Sequence, residues 1–299
     1  MSVAQLMRTV MAETQLLPLA NVSVFTEPLT NHDQTEVIAF LAERPLHTVC
    51  MAGFIRDNRL DSPLNRGRFF GVRNSEGRLE GVALIGHATL IEARTLRAMK
   101  EFAMIAQSSS SSHMILGEEE QINQFWKFYA DSGQEMRASA CELLFELKNA
   151  REVSDPVNGL RLATLKDLEL ILPVHAELAF AESGINPLKT DPVGFRERCA
   201  RRIEKKRVWV VVQDQRLIFK ADIQADTPDV IYLEGVYAER ADRGKGLAVK
   251  CLSQLAQTLL QRTRSICLLV NEDRTGVHSF YELANFKYRE RFLSIFLHR

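Results

Sequence analysis

Apolar positions along the chain switch repeatedly between a helical and a strand-like spacing. Val3, Leu6, Met7 and Val10 predict a short amphipathic helix over residues 1–17, and Val22–Phe25 reads as a strand. Gln34–Ala42 places Val37, Ile38 and Leu41 on one helical face, with acids near its start. Arg68–Val72 and Leu79–Leu90 flank a turn at Asn74–Gly77 and predict a hairpin, with Gly86-His87 as a candidate bulge and His87 structural. Leu96–Gln107 is helical and is followed by a run of serines, Ser108–Ser112, that reads as a loop. A short strand at Met114–Leu116, a helix at Glu119–Tyr129 and a strand at Glu142–Leu147 complete the first half.

Lys148–Gly159 mixes charge with Asp-Pro and Asn-Gly and is the best linker in the sequence. The rhythm then repeats. Leu160–Ala163 is strand-like, and Thr164-Leu165-Lys166-Asp167 resembles a capping box that opens a long helix. Gly184–Pro192 reads as a loop and Phe195–Glu204 as a cationic helix, whose Arg198–Arg207 cluster is most simply a solvated face. Val208–Gln213 and Leu217–Ile223 form a hairpin across Asp214-Gln215. Val230–Ala238 is a strand, Gly246–Arg262 a helix, Ile266–Val270 a strand, Gly276–Leu283 a helix, and Lys287–Leu297 strand-rich. The common element order implies a weak internal duplication. Two domains follow, over residues 1–150 and 159–299, of the α/β (α+β) class, each a mixed, mostly antiparallel twisted sheet flanked by helices.

Composition narrows the function. The chain has 299 residues, 46% of them hydrophobic and 25% charged, enough for two packed cores at roughly 150 residues per domain. Its 38 basic and 38 acidic residues cancel, which argues against a nucleic-acid or anionic-membrane binder. The first half is acidic and the second basic, so a polyanionic ligand is better hosted by the second. Cys50, Cys141, Cys199, Cys251 and Cys267 are widely spaced, form no metal-site pattern with histidine, and read as reduced thiols of a cytoplasmic protein without a bound metal. The opening residues carry Arg8 and Glu13 and read as neither a signal peptide nor a membrane span.

The most informative stretch is Tyr232–Ala248. An apolar strand ends near Ala238, a charged turn follows, and Arg243-Gly244-Lys245-Gly246-Leu247-Ala248 leads into an amphipathic helix. Glycines at a strand-to-helix turn let the backbone approach a ligand, and the free amides of the helix start face an anion. The order is that of a pyrophosphate cradle, although a tight turn alone would also want these glycines. It matches neither the Walker A nor the dinucleotide-binding pattern.

This segment resembles the Arg/Gln-x-x-Gly-x-Gly/Ala signature of the GCN5-related N-acetyltransferase (GNAT) superfamily. Glu234-Gly235-Val236-Tyr237-Ala238 resembles the family's splayed fourth strand, Leu268–Asn271 its fifth, and Tyr281-Glu282-Leu283-Ala284-Asn285-Phe286 its Tyr-x-x-x-Gly-Phe element. The match covers roughly residues 159–297. Asn285 stands where glycine is usual, and Arg274 where asparagine is common.

The resemblance implies acetyl-CoA and an N-acetyltransferase acting by direct attack of a primary amine on the thioester. The acceptor would be a small molecule, either amino-acid-like or cationic. Val236 and Ala238 would pair with pantetheine. Arg243, Gly244, Lys245, Gly246, Leu247 and Ala248 would hold the pyrophosphate, with Asn271 and Arg274 close to the cofactor. Tyr281 would protonate the leaving thiolate. Glu234 would act as base or amine ligand, or simply face solvent on an edge. Glu177, Glu182 and Asp222 are candidates for the acceptor wall or for solvated charge, and His175 is more simply structural.

The first half lacks glycine at the corresponding turn, Ile91–Leu96, and carries Glu92 there. It is expected to be a degenerate copy without cofactor, as in tandem GNAT enzymes. A non-catalytic acyl-CoA-binding module and a protein N-acetyltransferase are the alternative functions. No nucleic acid or membrane partner is expected, and the chain is expected to be a monomer or homodimer.

Overall fold

The structure is a computed structural model that describes residues 25–109, 112–239, 244 and 246–298. The helix predicted over 1–17, most of the strand at 22–25, and the cations Arg243 and Lys245 lie outside the described residues.

The first half runs β1 (Phe25–Pro28), α1 (Gln34–Ala42), α2 (Pro45–Asn58), β2 (Gly67–Arg73), β3 (Leu79–Gly86), β4 (Ala88–Ala93), α3 (Leu96–Gln107), β5 (Met114–Glu118), α4 (Glu119–Tyr129) and β6 (Met136–Leu147). The second runs β7 (Arg161–Leu162), α5 (Leu168–Ser183), α6 (Pro187–Thr190), α7 (Pro192–Glu204), β8 (Val208–Gln213), β9 (Arg216–Asp226), β10 (Val230–Ala238), α8 (Leu247–Leu259), β11 (Ser265–Asn271), α9 (Thr275–Leu283) and β12 (Lys287–Leu297).

All strands join one 12-stranded sheet in the order β1-β2-β3-β4-β5-β12-β6-β11-β10-β9-β8-β7. Read from either end, this order is the same succession of equivalent strands, except that the last strand of each half has changed places. β12 lies between β5 and β6, while β6 takes the place beside β11. Only β4–β5 and β10–β11 are parallel. The duplication extends to side chains. Thr30 with Asp33, and Thr164 with Asp167, form the same capping box before the first long helix of each half.

Each half buries one amphipathic helix against its sheet at matching places. Ala98, Met99, Phe102, Ala103 and Ala106 of α3 are buried in the first half, and Cys251, Leu252, Leu255, Ala256 and Leu259 of α8 in the second. A shared core at the centre joins Val49 of α2 to Leu144, Ala225, Val230, Cys267 and Phe292. α2 crosses so closely that a Cβ built on Gly53 would stand 2.5 Å from the Ala225 Cβ.

One local reading changes. The run Leu79–Leu90 folds back at Gly86-His87 into two antiparallel strands, with Leu84 opposite Leu90, rather than forming one bulged strand. Asp214 and Gln215 both take positive φ, so the hairpin turns without glycine. Residues 148–159 form no helix or strand and lie against α8, with the Val157 amide donating to Gln254 Oε1 at 2.7 Å. The cysteines are all free, with Cys199, Cys251 and Cys267 buried. No helix among the described residues is long and apolar enough to cross a membrane.

Gly53→Val overfills the α2–β9 crossing and is expected to destabilise the fold by about 1–3 kcal/mol, read as a lower urea midpoint. An unchanged midpoint would show that the crossing is loosely packed.

Candidate active site

β10 and β11 pair only from Val230–Ser265 to Tyr232–Cys267 and then part. On the other edge of β10 the register against β9 already shifts between Tyr232 and Leu233, where the pairing with β11 ends. It shifts again between Glu234, opposite Asp222, and Tyr237, opposite Lys220, so Gly235 and Val236 bulge out. Gly235 has φ of 57°, and a Cβ on it would meet Lys220 Nζ at 2.9 Å and Asp222 Oδ2 at 3.1 Å. Lys220 Nζ donates to the Gly235 carbonyl at 3.1 Å and to Asp222 Oδ2 at 2.6 Å.

Lys220 and Asp222 are both fully buried, so the bulge rests on charges that water does not reach. Asp222 also bonds His175 Nε2 and, at 3.4 Å, Arg202 Nη1. Arg202 continues to Glu234 Oε1 at 2.5 Å and Gln224 Oε1 at 2.9 Å. Burial opposes ionisation of Asp222, but Lys220, His175 and Arg202 hold its carboxyl well below the usual range. Burial and the Lys220 ammonium push His175 down, which favours a neutral ring. That ring donates through Nε2 to Asp222 and offers Nδ1 to the Cys199 thiol at 3.2 Å. Asp222 is therefore a buried support of β10 rather than part of the acceptor wall.

A cavity of about 620 Å³ opens where the strands part. Val236, Ala238, Gly244, Ala248, Asn271, Arg274 and Tyr281 line it, as do Glu142, Glu182, Tyr232, Glu234, Ser294 and Phe296. Glu177 is exposed on α5 and is not part of this lining. Glu142 and Ser294 come from the exchanged strands β6 and β12. No local motif announces Glu142, because only the strand exchange brings it here.

Gly244 and Gly246 both have φ of 77°, and no non-neighbouring atom of the described residues lies within 4 Å of where their Cβ atoms would stand. Gly246 caps α8 without a side-chain bond, and its carbonyl accepts the first helical bond, from Lys250 N at 3.1 Å. Among the described residues no side chain caps the amides of Leu247, Ala248 and Val249. This open helix start fits a diphosphate.

Tyr281 is 6% exposed and is held by the rings of Phe145, Phe280 and Phe286. Burial pushes its phenol well above the ordinary value, and Arg274 offsets this only in part. Asn285 adopts φ of 73°, as the glycine it replaces would, and its Nδ2 donates to Asn149 O at 2.7 Å. Asn271 Oδ1 accepts from Asp273 N at 2.9 Å, shaping the turn that brings Arg274 to the start of α9.

The first half repeats the split but fills it. β4 and β5 pair only as far as Leu90–Leu116. Beyond that, Arg44 reaches Glu92 at 3.3 Å and Glu118 at 2.5 Å, and Gln121 Oε1 accepts from the Ala93 amide at 3.2 Å. Thr95 caps α3 by accepting from Ala98 N at 3.2 Å. The space left is about 30 Å³, room for about one water. His47, Glu118 and Glu290 bring ligand atoms within 4.8 Å of one another, but Arg44 already supplies the cation there.

No protein-family model and no curated protein matches the sequence. Solved structures do. An acetyltransferase of the GNAT family from Colwellia psychrerythraea matches at a TM-score of 0.57 and 15% identity, over 92% of this chain and 100% of its own. A tandem GNAT protein of the clavulanic acid biosynthesis pathway, solved without AcCoA, matches at 0.56 and 13% identity, over 91% and 98%. A Drosophila protein from a structural genomics programme matches at 0.65 and 9% identity, over 92% and 99%. The chain has the GNAT fold in tandem, with the first copy degenerate.

Asp222→Asn strands the buried Lys220 ammonium and is expected to cost about 3–5 kcal/mol, read by chemical denaturation. A change below about 1 kcal/mol would mean that the cluster does not hold β10.

Proposed function

We propose that the protein is an acetyl-CoA-dependent N-acetyltransferase that modifies a primary amine on a small molecule. One observation carries the reading: the strand split, the uncapped glycine-led helix start and a buried tyrosine converge on a single cavity in the second half, while the first half fills the same space with its own side chains.

The residues present suit the cofactor. The β10 edge at Val236 and Ala238 faces the split and would take pantetheine as an added strand. The amides from Gly244 to Ala248, together with Arg243 and Lys245, would hold the pyrophosphate, and Asn271 and Arg274 stand beside the same cavity. Bound acetyl-CoA would supply an activated acyl thioester.

The chain's own groups then have separate tasks. Tyr281 keeps its proton at neutral pH because its phenol is buried, and so can give it up to a departing thiolate. Its aromatic neighbours keep water away from that proton. Arg202 fixes Glu234 at the cavity wall, where a carboxylate can hold an acceptor ammonium. The acidic wall of Glu142, Glu182 and Glu234 suits a cationic acceptor.

A panel of amines assayed with acetyl-CoA, following free thiol, tests the reading. Gly246→Glu should weaken CoA binding at least 100-fold in calorimetry, because a charged side chain would cover the open amides, and should lower stability by only about 1–2 kcal/mol through the positive φ at that position, leaving the protein folded. Retained affinity would remove the cradle assignment. Tyr281→Phe should lower kcat by about 10²–10⁴-fold and leave CoA affinity within a factor of three.

A further inference from the structure

Three carboxylates face the cavity, and two of them are engaged. Glu234 is held by Arg202 at 2.5 Å, and Glu142 accepts from Ser294 Oγ at 2.6 Å. Glu182, among the described residues, has neither a hydrogen bond nor an ion pair. The same cavity receives the Tyr281 phenol, which is 6% exposed and also without a hydrogen-bond partner among the described residues.

Building on the acetyltransferase reading, we propose that Glu182 is the base that takes the proton from the acceptor's ammonium, in a cavity whose wall also carries Glu234 on β10 and Glu142, brought by the first half on β6. One N–H bond of the ammonium breaks and its electron pair stays on nitrogen. The proton passes to a Glu182 carboxylate oxygen and from there to cavity water. Ammonium and carboxylate become amine and carboxylic acid, and nothing else is consumed.

The surroundings of Glu182 favour this. It lies on the last turn of α5, at the negative end of the helix dipole. The residue is exposed toward the cavity, while the protein behind its carboxyl partly encloses it. That enclosure, then the charges of Glu234 on β10 and Glu142 on β6, push its carboxyl up to about 7, while Arg274 at the start of α9 pulls the other way. Other ionisable groups nearby are Tyr232 on β10, whose phenol is raised by burial, His175 and Glu177 on α5 itself, and Arg137 on β6, which donates to the Ser183 carbonyl at 2.9 Å. A base that is half protonated near neutrality becomes competent as pH rises through that point.

The full chain is assayed with the accepted amine across pH 5.5 to 9, with CoA affinity measured alongside. Wild-type kcat/KM should rise with pH through about 7. Glu182→Gln should lose that limb and about 100-fold or more in kcat while binding CoA normally. Glu142→Gln removes a like charge and should move the limb to lower pH, at unchanged CoA affinity. Carbon-13 titration of the glutamate carboxyls, assigned with Glu182→Gln, should give the same midpoints without turnover. A Glu182→Gln enzyme that keeps its rate and its limb overturns the proposal alone, as does a Glu182 titration in the ordinary carboxylate range. A wild type that binds CoA and acetylates no amine overturns the transferase reading on which the proposal rests.

Discussion

The second-half site depends on one buried hydrogen bond, from the Lys220 ammonium to the Gly235 carbonyl. A strand normally keeps to its neighbours along its whole length, because each lost pair leaves polar backbone groups without partners. Here the lysine takes the carbonyl that the bulge removes from the ladder, and Asp222 balances the charge. β10 can then turn its far edge away from β11 without leaving that oxygen unbonded. Arg202 joins the same cluster to Glu234, so the bulge and a cavity carboxylate rest on the same group of charges. A buried ion cluster of this kind is a poor source of net stability. Its value is that it permits one backbone path.

Comparison of the two halves shows what separates an open split from a filled one. Both begin with the same threonine–aspartate capping box, both splay their parallel strands after a few pairs, and both bury one amphipathic helix beneath the split. They differ in who satisfies the helix start and the open strand edge. In the first half these are Thr95, Gln121 and Arg44; in the second, glycines leave the helix start uncapped by any described side chain. The first half nevertheless reaches the second half's cavity, because the exchange of last strands carries Glu142 into its wall.

Much of this was legible in sequence where structure is decided locally. Leu96–Gln107 and Glu119–Tyr129 fold over the spans their apolar periodicity marks, because each buries a single face, and the apolar run of Val230–Ala238 forms a strand with core on both sides at its start. α2 leaves no such mark. Met51 and Ile55 pack into the first half's core, while Val49 and Gly53 meet the central core and β9, so its apolar residues surround the helix instead of forming a stripe. Gly244, Tyr281, Glu182 and Glu234 belong to segments with recognisable order and do line the cavity. Asp222 and Glu177 shared the acidic character of the wall, but facing direction is a tertiary property: one points into the buried cluster, and the other lies on the exposed surface of α5. Glu142 was illegible because its place depends on a pairing across the two halves.

The position of β12 also orders events during synthesis. Ribosomes release the amino-terminal half first, and domains usually consolidate as they emerge. In this chain β5 waits with a bare edge until residues 287–297 leave the exit tunnel, since only they fill the gap between β5 and β6. Unclaimed strand edges attract foreign strands, so the nascent first half carries an adhesive border until β12 emerges and seals it.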